Sequence, residues 1–450
     1  GGAVVNPVLP KIYVHDLPPI LRTGRKSFDV EFDWALSSRM LLHPARTASP
    51  GAADYFWLVG PSSAGALVDK LNHIKAHHEV WNQSVADGRP RHLAMLLSER
   101  GPGDIFENSE LVLGRYSKYP ADINPASPSR AWAILTHNGM ADLRPTRAPP
   151  IHIGRRLLAS TRFPAAPSPR VSSPDGVSSP GASSAPGVPS ADVSSPGPVS
   201  RCVNCFQRGK DIVLPFQPST TDVPSCAEIR RVSVFSPENK GRKWPRRDIL
   251  FFYAGRIHPS LEHARFLTYY DGMRSKHVRA EILPHANLPG FVIVNSYNKS
   301  VRRVDAHAHM LRSRFCWVPP GQRYGDARRH IMSVFTGCIP VLSIPDNNNT
   351  LDELLPWSAF SLLVPPDQLP RLPHILASVT PAAEARLRAG LGCAWHRLWF
   401  SSIYGACLGE DPATDAFDGL LRVLGARAAA WRGAGNSAGA AAGGAAASLG

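Results

Sequence analysis

The residues best placed to do chemistry lie between Arg314 and Ser343, RFCWVPPGQRYGDARRHIMSVFTGCIPVLS. The apolar run Phe315 to Val318 has strand character and is stopped by Pro319, Pro320 and Gly321. The bend through Gly325, with Arg323, Arg328 and Arg329 in or beside it, opens at about residue 326 into a helical pattern with Ile331, Val334 and Phe335 at helical spacing. Gly337 ends that pattern, and Cys338 to Ile344 reads as the next buried strand. Planar guanidiniums beside a glycine-containing turn suit a diphosphate, because they bind its oxygens in a fork. Gly321, Arg323, Gly325, Arg328 and Arg329 are therefore the candidate diphosphate-binding residues.

A displaced diphosphate needs an attacking hydroxyl, and that hydroxyl needs a base. Such a group belongs at the carboxyl end of a parallel strand, where the crevice of an α/β sheet forms. Glu99 after HLAMLLS is the first choice; His137 after AWAILT, and Asp16 and His15 after the first strand, are the others. Each has a structural alternative. Asp16 can cap a turn before Pro18, His137 can hold the Asn138-Gly139 turn, and Glu99 can pair with Arg100. Arg329 can likewise pair with Asp326 or stand in solvent.

Other features are less promising. His307 and His309, two apart in a helical segment, point to different faces and do not share a metal, and Asp346 followed by three asparagines is a polar turn; no metal site is expected. Trp395, Trp399 and Phe400 read as core anchors, while Trp357 suits either packing or a cleft wall. The cysteine count is odd, at seven. Cys316 and Cys338 read as small apolar residues in buried strands, and a disulfide between two of Cys202, Cys205 and Cys226 is possible. The sequons at Asn82, Asn298 and Asn348 would permit glycosylation.

These residues must be positioned by alternating strands and helices. Short apolar runs at 12–14, 55–59, 92–97 and 131–136, then at 249–253, 290–294, 315–318, 339–344 and 360–364, are separated by polar or helical stretches such as 62–81. That alternation predicts parallel sheets covered on both faces. A boundary is expected near 230–247, where polar SPENKGRKWPRR precedes a new strand. Residues 163–200, with recurring VSSP, cannot bury enough apolar area to fold and read as a disordered insertion; 426–450, dominated by Gly and Ala, reads as a disordered tail.

The formal charge of +15 points to anionic partners such as nucleotide diphosphates, acidic polysaccharide or a membrane surface, although a general richness in arginine accounts for it equally. No zinc-finger, ribonucleoprotein or helix-turn-helix signature argues for nucleic acid. No stretch approaches the ~20 apolar residues of a spanning helix.

FCWVPPGQRYGDARRHIMSVFTGCIPV resembles the C-terminal signature of exostosin-like glycosyltransferases, carbohydrate-active family 47, in the branch of plants and algae. The match extends in order through KIYVHDLPP at 11–19, AILTHNG at 133–139, GKDIVLP at 209–215, ILFFYAGRI at 249–257, LDELLPWSAFSLLVPPDQLPRLPHIL at 351–376 and DAFDGLL at 415–421. The resemblance implies a GT-B architecture, two Rossmann-like α/β domains facing a cleft: residues 1–235 on the acceptor side and 236–425 on the nucleotide-sugar side. It implies an inverting, metal-independent transfer of a sugar from a nucleotide diphosphate to a glycan or glycoprotein. It also implies a Golgi membrane protein with a luminal catalytic part, whose anchor is absent from this chain. Arg329 falls where the family has its arginine. Ser98 and Glu99 stand where a histidine and an aspartate are frequent, and Met332 stands where many members carry an acid for the ribose. Met332 makes a catalytically silent relative the alternative.

Overall fold

A computed structural model describes residues 9–18, 30–60, 64–96, 131–136, 206, 209–215, 226–257, 279–296, 304–319, 329–343 and 349–446. Two compact units divide the chain: Gly1–Asp142 with Val203–Gly450, and Leu143–Cys202. The second, which holds the whole Ser/Pro-rich stretch 163–200, lies outside the described residues.

The first unit contains two parallel sheets. One orders its strands β2-β1-β3-β4-β5-β6, from β1 (Ile12–Val14), β2 (Arg46–Thr47), β3 (Tyr55–Trp57), β4 (His92–Leu96), β5 (Trp132–Thr136) and β6 (Ile212–Val213). The other orders them β11-β10-β9-β7-β8, from β7 (Ile249–Gly255), β8 (Phe291–Asn295), β9 (Ser313–Val318), β10 (Ile339–Leu342) and β11 (Leu362–Leu363). In both, the first strand of the sheet lies between the second and the third, so the order reverses beside it. In an open parallel sheet that reversal opens the ligand crevice at the strands' carboxyl ends. The switch points fall at β1/β3 and β7/β9.

Burial on both faces explains the continuous apolar runs. Phe56, Leu58, Ala94, Trp132 and Ile134 lie under α2 (Ala64–His77) and α3 (Val80–Ala86), which contribute Leu67, Leu71, Ile74 and Trp81. Tyr55, Trp57, Leu93, Met95, Ala133 and Leu135 point the other way, into one core shared with Phe251, Tyr253, Trp317 and Val341 of the second sheet. α1 (Val30–Leu41) adds Phe32, Leu36 and Met40 to that core.

The two sheets are also tied by polar groups. Leu351 N–H donates to Val213 O across 2.9 Å. Arg427 donates to the carbonyls of Lys210 at 2.8 Å and Asp211 at 3.1 Å, and pairs with Glu353.

Arg427 belongs to a helix that corrects, as far as Ala446, the reading of residues 426–450 as a disordered tail; 447–450 lie outside the described residues. After α4 (Cys226–Val232), α5 (Ala306–Arg312), α6 (Arg329–Phe335), α7 (Leu372–Ser378), α8 (Pro381–Ala394) and α9 (Ser401–Tyr404), α10 runs from Ala416 to Ala446. Alanine is the best helix former, and Leu420, Leu424 and Ala428 continue a buried stripe at helical spacing. Trp431 then packs on Tyr55 with ring centroids 5.2 Å apart, and Arg432 pairs with Asp54.

The cysteines supply a second correction. Cys316 and Cys338 are buried as expected, yet they form a disulfide, and Cys226 pairs with Cys407. Cys202 and Cys205 lie outside the described residues, and among the described cysteines Cys393 is free.

Candidate functional site

The carboxyl end of β7 gathers cations. Arg329, the first residue of α6, sends Nη2 back to Ala254 O at 2.9 Å, and its guanidinium carbon stands 5.1 Å from the Tyr253 ring centroid. Gly255 permits this approach: a Cβ there would lie 2.5 Å from Arg329 Nη2 and 2.5 Å from Tyr253 Oη. Arg279, buried to 7% exposure, donates to Arg256 O at 3.2 Å. Burial, and the nearby charge of Arg329, push its guanidinium below the usual arginine range, while Tyr253 opposes this. The strand end is fixed by Asn295, whose Oδ1 accepts from Ile257 N–H at 2.8 Å.

The helix that presents Arg329 follows from its sequence. Ile331, Val334 and Phe335 bury, and Gly337, at φ +67°, closes the helix while its N–H returns to Val334 O. Met332 packs against both the shared core and a smaller cluster of Ile249, Phe252, Cys316 and Cys338. At this position the chain therefore offers packing and no hydrogen-bond acceptor of useful strength. Arg329 is the one proposed diphosphate residue among those described; Gly321, Arg323, Gly325 and Arg328 lie outside them, as does Asp326.

At the other switch point the structure places His15 and Asp16 after β1, while Glu99 and His137 lie outside the described residues. Asp16 is exposed and His15 is buried to 2%. Ser84 Oγ donates to Val80 O at 3.1 Å, so it must accept from His92 Nε2 at 3.2 Å. His92 Nδ1 is then bare and accepts from His15 Nε2 at a long 3.4 Å. The chain of tautomers leaves His15 Nδ1 a bare, buried acceptor with no partner. Burial, then the neighbouring His78 and His73, hold its pKa down to about 3, so His15 stays neutral and is a weak base.

This cluster makes stability depend on pH. Burial and the neighbouring His15 also keep His92 well below its ordinary value. Both folded pKa values lie below the unfolded one near 6.5, so the unfolded chain takes up protons that the folded chain refuses as pH falls from about 6.5 toward about 3. Each group then costs about 1.4 kcal/mol per pH unit. Urea unfolding at pH 7.5 and 5.5 should show a loss of about 3 kcal/mol from the pair; equal stabilities would contradict the buried neutral pair.

Sequence reasoning missed Lys70. Fully buried in α2, its Nζ donates to Val59 O at 3.1 Å and Gly60 O at 2.6 Å, pinning the chain as it leaves β3. Burial lowers its pKa to about 8, and Asp33 opposes the fall. The available signal was a lysine on the stripe of Leu67 and Ile74.

The remaining aromatic candidates are structural. Trp357 is buried, donates to Thr350 O at 2.8 Å and meets Phe360, which makes it packing and not a cleft wall. Trp399 and Phe400 are buried in the shared core, and Trp395 stacks on Phe235. His309 stacks on Phe252.

Two parallel α/β sheets of like strand order, one carrying arginines at its switch point, define a protein suited to hold an anionic ligand beyond the ends of β7 and β9. Residues 202–379 match the model of the exostosin GT47 domain, in agreement with the resemblance carried by the motifs within that stretch. Over 131 residues it is 28% identical to probable glycosyltransferase At5g03795 of Arabidopsis thaliana, covering 29% of this chain and 24% of that one. It is 27% identical to probable glycosyltransferase At3g07620 of the same plant over 145 residues, 32% of this chain and 27% of that one. A third, probable glycosyltransferase At5g25310, is 28% identical over 95 residues, 21% and 20% of the two chains. The chain thus spans about a quarter of the length of these relatives.

Proposed function

We propose that this protein is an inverting glycosyltransferase that moves a hexosyl or pentosyl group from a nucleotide diphosphate to a glycan or glycoprotein. The observation that carries this reading is Arg329, held over Gly255 at the β7/β9 switch point, within the stretch that matches the exostosin domain. Residues 236–425 form the donor side and 1–235 the acceptor side. Breaking the anomeric bond places negative charge on the diphosphate, and the arginine stabilises that charge without a divalent metal. The acceptor hydroxyl loses its proton to Glu99, His137 or Asp16. His15, buried and weakly basic, is set aside as the base.

The two disulfides favour an oxidising compartment and so support a luminal Golgi location. Among the described residues no helix is long and apolar enough to cross a membrane, and the membrane anchor rests on family resemblance. Met332 supports one second reading, a glycan-binding relative without turnover, because an apolar packed side chain replaces the ribose acceptor. Incubating the protein with UDP- and GDP-sugars, with and without glycan acceptors, separates the two. Release of nucleoside diphosphate supports the enzyme; saturable diphosphate binding without release supports the silent relative.

A further inference from the structure

The Tyr253 hydroxyl is out of place in a ligand-free core. The side chain is 1% exposed, and its ring meets Trp317 edge-on at 5.0 Å, which fixes the direction of the C–O bond. Its Oη is buried without any hydrogen-bond partner. Leaving such a donor unmade costs about 1–3 kcal/mol, whereas phenylalanine would fill the same space without that cost. Few native buried polar groups are left in this state without a reason.

The surroundings supply one. Tyr253 Oη and Arg329 Nη2 both lie 2.5 Å from the same point above Gly255, so the hydroxyl and the guanidinium converge on one spot that only a glycine leaves open. Arg279 adds its charge beside both groups. Among the described residues no carboxylate is paired with Arg329, whose contacts are the Ala254 carbonyl and the Tyr253 ring. A buried O–H donor converging with the Arg329 guanidinium is a recognition set for a multiply charged oxyanion.

We infer that Tyr253 is a donor-binding residue whose hydroxyl donates to an oxygen of the diphosphate that Arg329 holds. It rests on the donor-site reading above. When the Arg329 guanidinium turns from the Ala254 carbonyl to the anion, it uncovers the phenol, and the two groups then grip neighbouring oxygens. No proton is transferred; the O–H bond stays intact.

The test compares the full chain with Tyr253→Phe in calorimetric titrations with UDP and GDP, alongside melting temperatures without ligand. The variant should bind the preferred diphosphate roughly ten-fold or more weakly, while its ligand-free melting temperature stays equal or rises, because the orphan donor is gone. That opposition of signs is not produced by a purely structural tyrosine. Binding within roughly two-fold of the unaltered chain, or a fall in ligand-free melting temperature, would overturn the inference and leave the donor-site reading intact. If the unaltered chain binds neither UDP nor GDP, the donor-site reading fails first and takes this inference with it.

Discussion

Replacing Arg329 with alanine is expected to abolish the thermal stabilisation that a nucleoside diphosphate gives this protein. A ligand at a hundred times its dissociation constant adds roughly 2.7 kcal/mol to the folded state, and for a chain of this size each kcal/mol moves the melting temperature by about 2 °C. The unaltered chain should therefore shift by about 5 °C, and the variant by almost nothing. Turnover should fall about 10²- to 10³-fold, the usual cost of removing one group that stabilises charge in the transition state. The ligand-free variant should lose only about 1–2 kcal/mol, for the bond to Ala254 O and the contact with the Tyr253 ring. Arg329→Lys should recover little, because a point charge cannot reproduce the planar fork. A variant that shifts as far as the parent would remove Arg329 from the site.

Reduction of the disulfides should have the other large effect. Cys316–Cys338 closes a loop of 22 residues and Cys226–Cys407 one of 181. In the chain-entropy model these restrict the unfolded state by about 3 and about 5 kcal/mol respectively. The first links β9 to the turn before β10, beside the register pair Cys316 and Pro340. The second fastens α4 to the segment preceding α10. Calorimetric scans with and without reductant should differ by on the order of 10 °C. Superimposable scans, or alkylation of Cys316, Cys338, Cys226 and Cys407 in the unreduced protein, would contradict these pairings.

Local information was legible and partnership was not. The strand and the helix that flank the bend before Arg329 could be read because apolar spacing and glycine act over a few residues. Cys316 and Cys338 were recognised as buried, yet their bond depends on the alignment of β9 with β10, which no spacing encodes. Likewise His15 was visible as a polar residue after a strand, but its neutrality comes from His92 and His78, which are distant in sequence. Composition misled at the end of the chain, where alanine-rich sequence looked structureless although Arg427 and Trp431 anchor it to the first sheet. The Tyr253 hydroxyl could not have been found from spacing, since only the packing around Gly255 reveals that it lacks a partner.

A crystal structure of the protein with UDP or GDP tests the central claim most directly. The phosphates should lie beyond the carboxyl ends of β7 and β9, with the Arg329 guanidinium and the Tyr253 hydroxyl on their oxygens. Phosphates bound elsewhere, with Arg329 still on the Ala254 carbonyl, would contradict it.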